Sequence, residues 1–402
     1  MSFRLACYRC NERWGAEAPL YRCPKCEGRL SFEYSAASSD VPADGGRMWE
    51  YRALLPVMHP ERAVTLGEGG TPFLPAPKLA GWLGVDRLFL KDETRNPTGT
   101  YKDRPASLAV TRALELNAPG IVVASDGNTG PATAAYSARA GLRCVLLMPG
   151  ATPPFRYRQA QAFGASVALV SGTVNDCIDR AAEIAEAAGY HHTTTATIHN
   201  PYQMEAAKTI AWEMVSAWDG EAPDWVAVPV GGGGLLAGIW RGFREAMDLG
   251  RIRKAPRLLA VQAEGCAPLV TAFRDGTAIS VWGAPSTVAL TIGVPYPLDG
   301  DLVLQALEES DGSAVAVTDS SLTLVTRRLA ELEGVLAEPT GAASVAGVLE
   351  ARRQGLVEET AAVIAVITGT GMKTIELFGA DGALKALPNR REAILEWLEA
   401  IR

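Results

Sequence analysis

The stretch LFLKDETRNPTGTYKDR, residues 88–104, decides how this chain is interpreted. Its apolar start predicts a buried strand, Asn96 to Gly99 predict a turn, and a helical pattern begins at Lys102. The N-terminus of a helix carries partial positive charge, so it disfavours an ammonium and favours a neutral amine. Lys102 is therefore a candidate for a Schiff base with a carbonyl group. The alternative interpretation is an exposed lysine at the start of a helix.

Two further strand-to-helix turns offer groups that bind anions. Residues 124–130, ASDGNTG, combine helix N-terminal N–H groups with Ser125, Gly127 and Thr129, a set that suits a carboxylate. Residues 229–235, PVGGGGL, let the backbone wrap closely around a phosphate; the four glycines are Gly231, Gly232, Gly233 and Gly234. This loop lacks the Lys-Ser/Thr pair of an ATP-binding loop and the Rossmann spacing. The alternatives are a capped loop and a flexible turn.

A fourth turn, ITGTGMK at residues 367–373, follows the apolar run 362–367. The Thr368 hydroxyl suits a heteroaromatic nitrogen, and the Asn128 amide suits a ring hydroxyl; a helix cap is the alternative for Thr368. A reactive lysine, a carboxylate cradle, a phosphate cradle and a partner for a ring nitrogen are together what pyridoxal 5′-phosphate (PLP) requires. The four turns in combination therefore predict a PLP site.

The pattern around these turns predicts an α/β fold. Apolar runs at 87–91, 121–124, 144–148, 166–170, 225–229, 258–263, 314–317 and 362–367 read as strands. Helical periodicity fills the gaps, with helices expected at 102–116, 129–140, 155–163 and 174–188. Nearly continuous apolar strands that alternate with helices indicate parallel sheets covered on both faces. Ligands bind at the carboxyl ends of such strands, where the four turns lie.

The first 34 residues are expected to form a separate zinc-ribbon-like segment. Cys7, Cys10, Cys23 and Cys26 are spaced C-x2-C-x12-C-x2-C, so two tight turns can present four thiolates to one zinc ion. Four protein ligands leave no open position, so the zinc would be structural. The alternative is four reduced cysteines without metal. Residues 35–48 are small, polar and turn-prone, which predicts a linker.

Composition excludes several classes of partner. The net charge is −7 over 402 residues, which does not favour nucleic acid or an anionic membrane surface. The chain has no apolar run long enough for a membrane span and no signal-peptide pattern, so a cytoplasmic protein is expected. His191, His192 and His199 have no carboxylate at ligand spacing and are interpreted as surface or pocket residues.

Between Glu68 and Lys373 the chain resembles the fold-type-II (tryptophan-synthase-β-like) PLP enzymes, and among them the threonine-synthase-like family. The matching motifs are GEGGTP at 67–72, the 91–104 stretch, Gly127-Asn128-Thr129, the glycine loop, Glu338-Pro339 and TGTGMK at 368–373. The resemblance implies two doubly wound α/β domains within residues 49–402, with a small subdomain at about 100–205. It also implies a homodimer that acts on an amino acid by elimination or replacement.

The resemblance also implies a role for each site residue. Lys102 would bind PLP and move protons, Asn128 would bond the ring oxygen, and Thr368 would face the ring nitrogen. The four glycines would hold the cofactor phosphate. Ser125, Asp126, Gly127, Thr129 and Gln203 would contact the substrate, and Asp126 would also act as an acid or base.

Departures from the family pattern leave the substrate open. Gln203 stands where many threonine synthases have an arginine, and the glycine loop lacks their asparagine. Arg104, Lys208 or Arg156 would have to supply the missing contact to the phosphate of O-phosphohomoserine. Asp126-Gly127-Asn128 instead resembles the diaminopropionate ammonia-lyases. The alternatives are therefore β-elimination or β-replacement on serine-, threonine-, phosphoserine- or diaminopropionate-like substrates, or a PLP-binding protein without catalytic activity.

Overall fold

A computed structural model describes residues 3–18, 20–194, 196–218, 222–378 and 386–400. The strands are β1 (Phe3–Cys7), β2 (Arg13–Gly15), β3 (Leu30–Tyr34), β4 (Phe73–Pro75), β5 (Arg87–Asp92), β6 (Gly120–Ala124), β7 (Arg143–Pro149), β8 (Ser166–Val170), β9 (His191–His192), β10 (Trp225–Pro229), β11 (Arg257–Ala263), β12 (Ser313–Val317) and β13 (Ala362–Ile367). All eight strands expected from the sequence are present, so this part of the prediction is confirmed.

The α-helices are α1 (Pro77–Leu83), α2 (Asp103–Glu115), α3 (Thr129–Ala140), α4 (Arg158–Ala162), α5 (Val174–Ala188), α6 (Tyr202–Ala217), α7 (Gly234–Asp248), α8 (Pro268–Asp275), α9 (Gly300–Glu309), α10 (Asp319–Glu333), α11 (Pro339–Arg353) and α12 (Arg391–Ala400). The single helix expected at 155–163 is wrong. A 3-10 turn, Pro154–Arg156, lies there instead and is followed by the short helix α4, Arg158–Ala162.

The larger sheet has six strands in the order β12-β11-β10-β13-β5-β4. All neighbours are parallel except β4, which pairs antiparallel with β5 at the edge. The central strands are buried on both faces because their apolar residues alternate between two cores. Along β13, Val363 and Ala365 pack on one face while Ile364 and Val366 pack on the other. Continuous apolar runs thus form strands covered by helices on both sides.

The smaller sheet has four parallel strands in the order β8-β7-β6-β9. In β6, Ile121 packs toward one face and Val122 toward the other. The fold is therefore α/β with parallel-rich sheets, as the sequence predicted. Among the described helices, none combines the length and apolar character needed to cross a membrane.

A three-stranded antiparallel sheet, β2-β1-β3, forms the N-terminal segment. This segment, residues 3–18 and 20–34, is called the knuckle below. The sulfur atoms of its four cysteines all lie within 4.8 Å of one another. The knuckle packs on the main body, where the ring of Phe32 lies 4.9 Å from that of Tyr202, measured between centroids.

Candidate active site

Residues from all four turns singled out in the sequence line one cavity. It is called the main cavity, and its wall includes every candidate active-site residue: Lys102, Ser125, Asp126, Gly127, Asn128, Thr129, Gln203, Gly231, Gly232, Gly233, Gly234 and Thr368. These residues follow β5, β6, β10 and β13 or, for Gln203, lie in α6. The carboxyl ends of parallel strands from both sheets therefore meet at one site, as expected for an α/β enzyme.

Lys102 occupies the residue before helix α2, so its side chain leaves from the helix N-terminus. The turn before it is joined to the turn after β13. Tyr101 N donates to Thr368 O over 3.0 Å, and Thr370 N donates to Gly99 O over 2.9 Å. Gly99 has φ +83°, and an added Cβ would lie 2.6 Å from Thr370 Cγ2, so only glycine allows this approach.

The loop after β6 is a hydrogen-bonded turn that carries the carboxylate of Asp126. Gly127 N donates to Ser125 Oγ over 3.0 Å, and Thr129 opens helix α3. Asp126 is accessible to solvent but stands inside the cleft among protein atoms. Burial there raises the pKa of its carboxyl, although the positive charges of Arg156 and Lys102 oppose the shift. Asp126 is thus placed as a candidate acid, base or partner for an ammonium group.

Asn128 is held on both sides by charged groups. Its Nδ2 donates to Glu338 Oε1 over 2.7 Å, and its Oδ1 accepts from Lys373 Nζ over 3.0 Å. Glu338 is 4% exposed, and burial raises the pKa of its carboxyl. Neither Glu338 nor Lys373 was a candidate site residue from the sequence. The Glu338-Pro339 motif, one of those that carry the family resemblance, was the available signal for Glu338.

The glycine loop leads directly into helix α7, whose first N–H groups have no partner within the helix. Gly233 has φ +102°, and an added Cβ would lie 2.8 Å from the backbone of Asp299. Position 233 therefore requires glycine for two reasons, its positive φ angle and the lack of space for a Cβ atom. The glycine loop and the start of α7 thus line the main cavity with backbone N–H groups nearby, which suits a phosphate.

Two buried polar atoms at the cavity wall lack a hydrogen-bond partner among the described residues. They are Thr368 Oγ1 and Gln203 Oε1, on side chains that are 4% and 3% exposed. Gln203 Nε2 donates to Thr193 O, so only the amide oxygen of this side chain lacks a hydrogen-bond partner among the described residues. An orphaned buried hydroxyl costs free energy unless a ligand satisfies it. The donor and acceptor set at this cavity therefore fits PLP.

Comparison with known proteins agrees with this geometry. The family model described as "Pyridoxal-phosphate dependent enzyme" matches residues 64–369. The chain belongs to this family. It is 34% identical to the threonine synthase of Methanocaldococcus jannaschii, over 91% of this chain and 92% of that protein. It is 39% identical to the threonine synthase of a Synechocystis species, over 82% and 83% of the two chains. The chain is thus a threonine-synthase-like PLP-dependent lyase.

Solved structures support the fold. A serine racemase from maize aligns with a TM-score of 0.66 at 19% identity, covering 82% of this chain and 93% of that one. A diaminopropionate ammonia lyase from Escherichia coli aligns with a TM-score of 0.65 at 17% identity, covering 85% and 94%. At these identities the likeness establishes the fold-type-II architecture alone.

The structure places the three histidines apart from the main cavity lining. His191 and His192 are buried between the knuckle and the cavity wall, and burial lowers the pKa of each to about 3. They are neutral core residues with specific partners. The interpretation as surface or pocket residues is therefore wrong for His191 and His192, since the docking of the knuckle over them is invisible in the sequence.

Proposed function

We propose that this chain converts O-phosphohomoserine and water into threonine and phosphate. The Cγ–O bond to phosphate breaks, and Cγ gains a proton to become the methyl group. Cβ loses a proton and receives the hydroxyl group of water, whose other proton leaves with the phosphate. The convergence of Lys102, the 125–129 loop, the glycine loop and the unpartnered Thr368 hydroxyl on one cavity carries this proposal. The threonine synthase relatives, aligned over most of both chains, favour this substrate over others.

PLP, when bound, would withdraw electrons from the substrate and so stabilise negative charge beside Cα. Lys102 would attach the cofactor and then move protons. Among the described residues that line the main cavity, it is the one lysine. Gly231 to Gly234 would hold the cofactor phosphate, and Asn128 the ring oxygen. Ser125, Gly127 and Thr129 would orient the substrate carboxylate at the start of α3.

The substrate phosphate needs a cation, and Gln203 supplies none. Of the three arginine and lysine candidates, two are already engaged. Arg104 is fully buried and binds Glu93 and Glu213, and Lys208 is fully buried and binds Glu205 and Glu245.

Arg156 is the candidate that remains available. Within the part of the chain that the structure describes, it has no carboxylate partner, and its guanidinium lies 5.5 Å from the Phe155 ring centroid. An added Cβ on Gly127 would lie 3.9 Å from Arg156 Nη1, so the guanidinium lies close to the 125–129 loop. It lines a neighbouring cavity together with Lys373. We therefore assign Arg156 to the substrate phosphate.

The test is Arg156→Met, compared with Arg139→Met on the exposed end of α3. Loss of a charge-assisted contact should raise KM for O-phosphohomoserine about 10- to 100-fold, whereas Arg139→Met should leave it unchanged. Phosphate release and threonine formation are measured together. If the wild-type holoenzyme forms neither product, the proposed substrate is wrong.

A second candidate function is ammonia-releasing β-elimination on a diaminopropionate-like substrate. The Asp126 carboxylate and the unpartnered Gln203 Oε1 both lie at the cavity wall and are able to accept hydrogen bonds, which suits a substrate ammonium. Ammonia and a 2-keto acid from diaminopropionate would identify this reaction. Asp126→Asn should then abolish ammonia release, and retention of full activity would rule out this role for Asp126.

We also propose that Cys7, Cys10, Cys23 and Cys26 bind one structural zinc ion. The sulfur pairs Cys7–Cys26 and Cys10–Cys23 are 3.5 and 3.6 Å apart, close to the spacing of thiolates around one tetrahedral ion. The division into a segment at 1–34, a linker at 35–48 and a body at 49–402 with a subdomain near 100–205 belongs to the same proposal. A homodimer and a cytoplasmic location stay predictions.

A further inference from the structure

The knuckle touches two segments that form part of the main cavity wall. The first, called the histidine wall, comprises residues 191–194 and 196–203 and contributes Thr194, Ala196 and Gln203 to the cavity. The second, called the aspartate wall, comprises residues 298–301 and contributes Leu298 and Asp299. The polar contacts with both walls come from one stretch of the knuckle, between Tyr21 and Arg29, which includes two of the four cysteines.

Tyr21 and Arg22 bind the histidine wall. Tyr21 Oη lies 2.5 Å from His191 Nδ1, and Arg22 Nε donates to Ile198 O over 2.9 Å. Arg22 Nη2 also lies 3.1 Å from His199 Nδ1. These residues directly precede Cys23, so the path of the metal-binding turn determines where their side chains point.

Hydrogen bonds within the histidine wall connect the residues that contact the knuckle with those that line the cavity. His192 Nε2 lies 2.5 Å from Thr194 Oγ1, and Asn200 Nδ2 donates to His192 O over 2.6 Å. Gln203 Nε2 donates to Thr193 O. The histidine wall is thus one connected unit, with the knuckle on its outer side and the substrate cavity on its inner side.

Arg29 binds the aspartate wall. Its guanidinium donates to the Asp301 carboxylate and to Leu298 O, and its Nε lies 3.7 Å from Asp299 Oδ1. The Asp299 residue is fully buried, and its carboxylate accepts from Thr197 N over 3.0 Å, which ties the two walls together. Asp299 N donates to Gly232 O over 2.9 Å, so the same residue supports the glycine loop.

We propose that the knuckle is a positioning element for the substrate cavity, with Arg29 as its principal positioning residue. When its four cysteines hold a metal ion, Tyr21, Arg22 and Arg29 keep both walls in the geometry that binds substrate. Metal occupancy therefore sets substrate affinity, although none of the four cysteines lines the main cavity. The part of this inference that concerns KM rests on the proposed function, whereas the part that concerns wall mobility does not.

The test compares Arg29→Met with Arg13→Met in the zinc- and PLP-loaded enzyme. Arg13 is the control, because it is an arginine of the same segment whose ion-pair partner, Glu33, lies within the knuckle and not in either wall. Arg29→Met should speed amide hydrogen exchange in both walls about tenfold or more, since a charge-assisted contact is lost. KM should rise about tenfold with kcat nearly unchanged, because binding geometry is affected and the reacting groups are not. Arg13→Met should match wild type in both.

Zinc-stripped wild-type protein and Tyr21→Phe complete the test. Stripping should loosen both walls while PLP content and far-ultraviolet circular dichroism stay unchanged. Tyr21→Phe removes one hydroxyl group and should loosen the histidine wall alone. Wild-type exchange rates in both walls of Arg29→Met and of the stripped protein would overturn the proposal. Faster exchange without any conversion of O-phosphohomoserine would support the positioning role and refute the proposed substrate instead.

Discussion

Replacing Glu213 by glutamine should destabilise the protein by about 3 kcal/mol, because Glu213 neutralises two buried cations. Its Oε1 accepts from Arg104 Nη1 over 2.5 Å, and its Oε2 accepts from Lys91 Nζ over 2.6 Å. Glu213 also accepts from the backbone N–H of Gly70 over 3.0 Å. Arg104 lies two residues after Lys102, so this cluster holds the start of helix α2 beside Lys102.

The magnitude follows from the pKa of Glu213. Burial alone would raise it, but the charges of Arg104 and Lys91 outweigh burial and lower it from 4.5 to about 2. A shift of this size corresponds to about 3 kcal/mol of stabilisation of the carboxylate in the folded state. The value agrees with the roughly 3–5 kcal/mol lost when one partner of a buried ion pair is removed.

The assay is urea unfolding of the apoprotein at pH 7.5, with Glu33→Gln as the control. Glu33 forms an ion pair with Arg13 in which its side chain is 45% exposed, so its loss should cost about 0.5 kcal/mol or less. Because the folded-state pKa of Glu213 is depressed, its contribution is complete above pH 4.5 and disappears as the pH falls toward 2. A loss below about 1 kcal/mol, or one equal to the control, would refute the reasoning.

Three further outcomes are expected. Lys102→Ala should purify without the visible absorption of a lysine-bound cofactor and should lose PLP on gel filtration, because no amine remains to hold it covalently; retained absorption would place the attachment elsewhere. Cys26→Ser should lose bound zinc, measured by plasma mass spectrometry, since three thiolates bind zinc less tightly than four; unchanged zinc would contradict the ligand set. When the pH is lowered from 7.5, His191→Phe should lose less of its free energy of unfolding than the wild type loses. Burial lowers the pKa of His191 to about 3, so its stabilising contribution is complete above pH 6.5 and falls by about 1.4 kcal/mol per pH unit below it. Parallel unfolding curves between pH 7.5 and 5.5 would show that His191 does not stay neutral.

Local patterns were enough to predict the strands and the cofactor site. The apolar runs that became β5, β6, β10 and β13 are continuous, and glycine or small polar residues follow each one. Because parallel strands place their carboxyl ends at one edge, turns far apart in sequence could be expected to share a site. The cysteine spacing likewise identified the cluster whose sulfur atoms lie within 4.8 Å. Each of these features depends on neighbours along the chain.

The sequence by itself was enough to predict an α/β protein that uses PLP, because hydrophobic period and turn chemistry are local properties. The tertiary structure decided which charged groups are available. Arg104 forms an ion pair with Glu213, which lies 109 residues away, whereas Arg156 has no carboxylate partner among the described residues and lies beside the 125–129 loop. It also decided that the knuckle supports the cavity, since Arg29 and Asp301 are 272 residues apart. Contacts over such separations depend on how the elements pack together, and no local pattern encodes them.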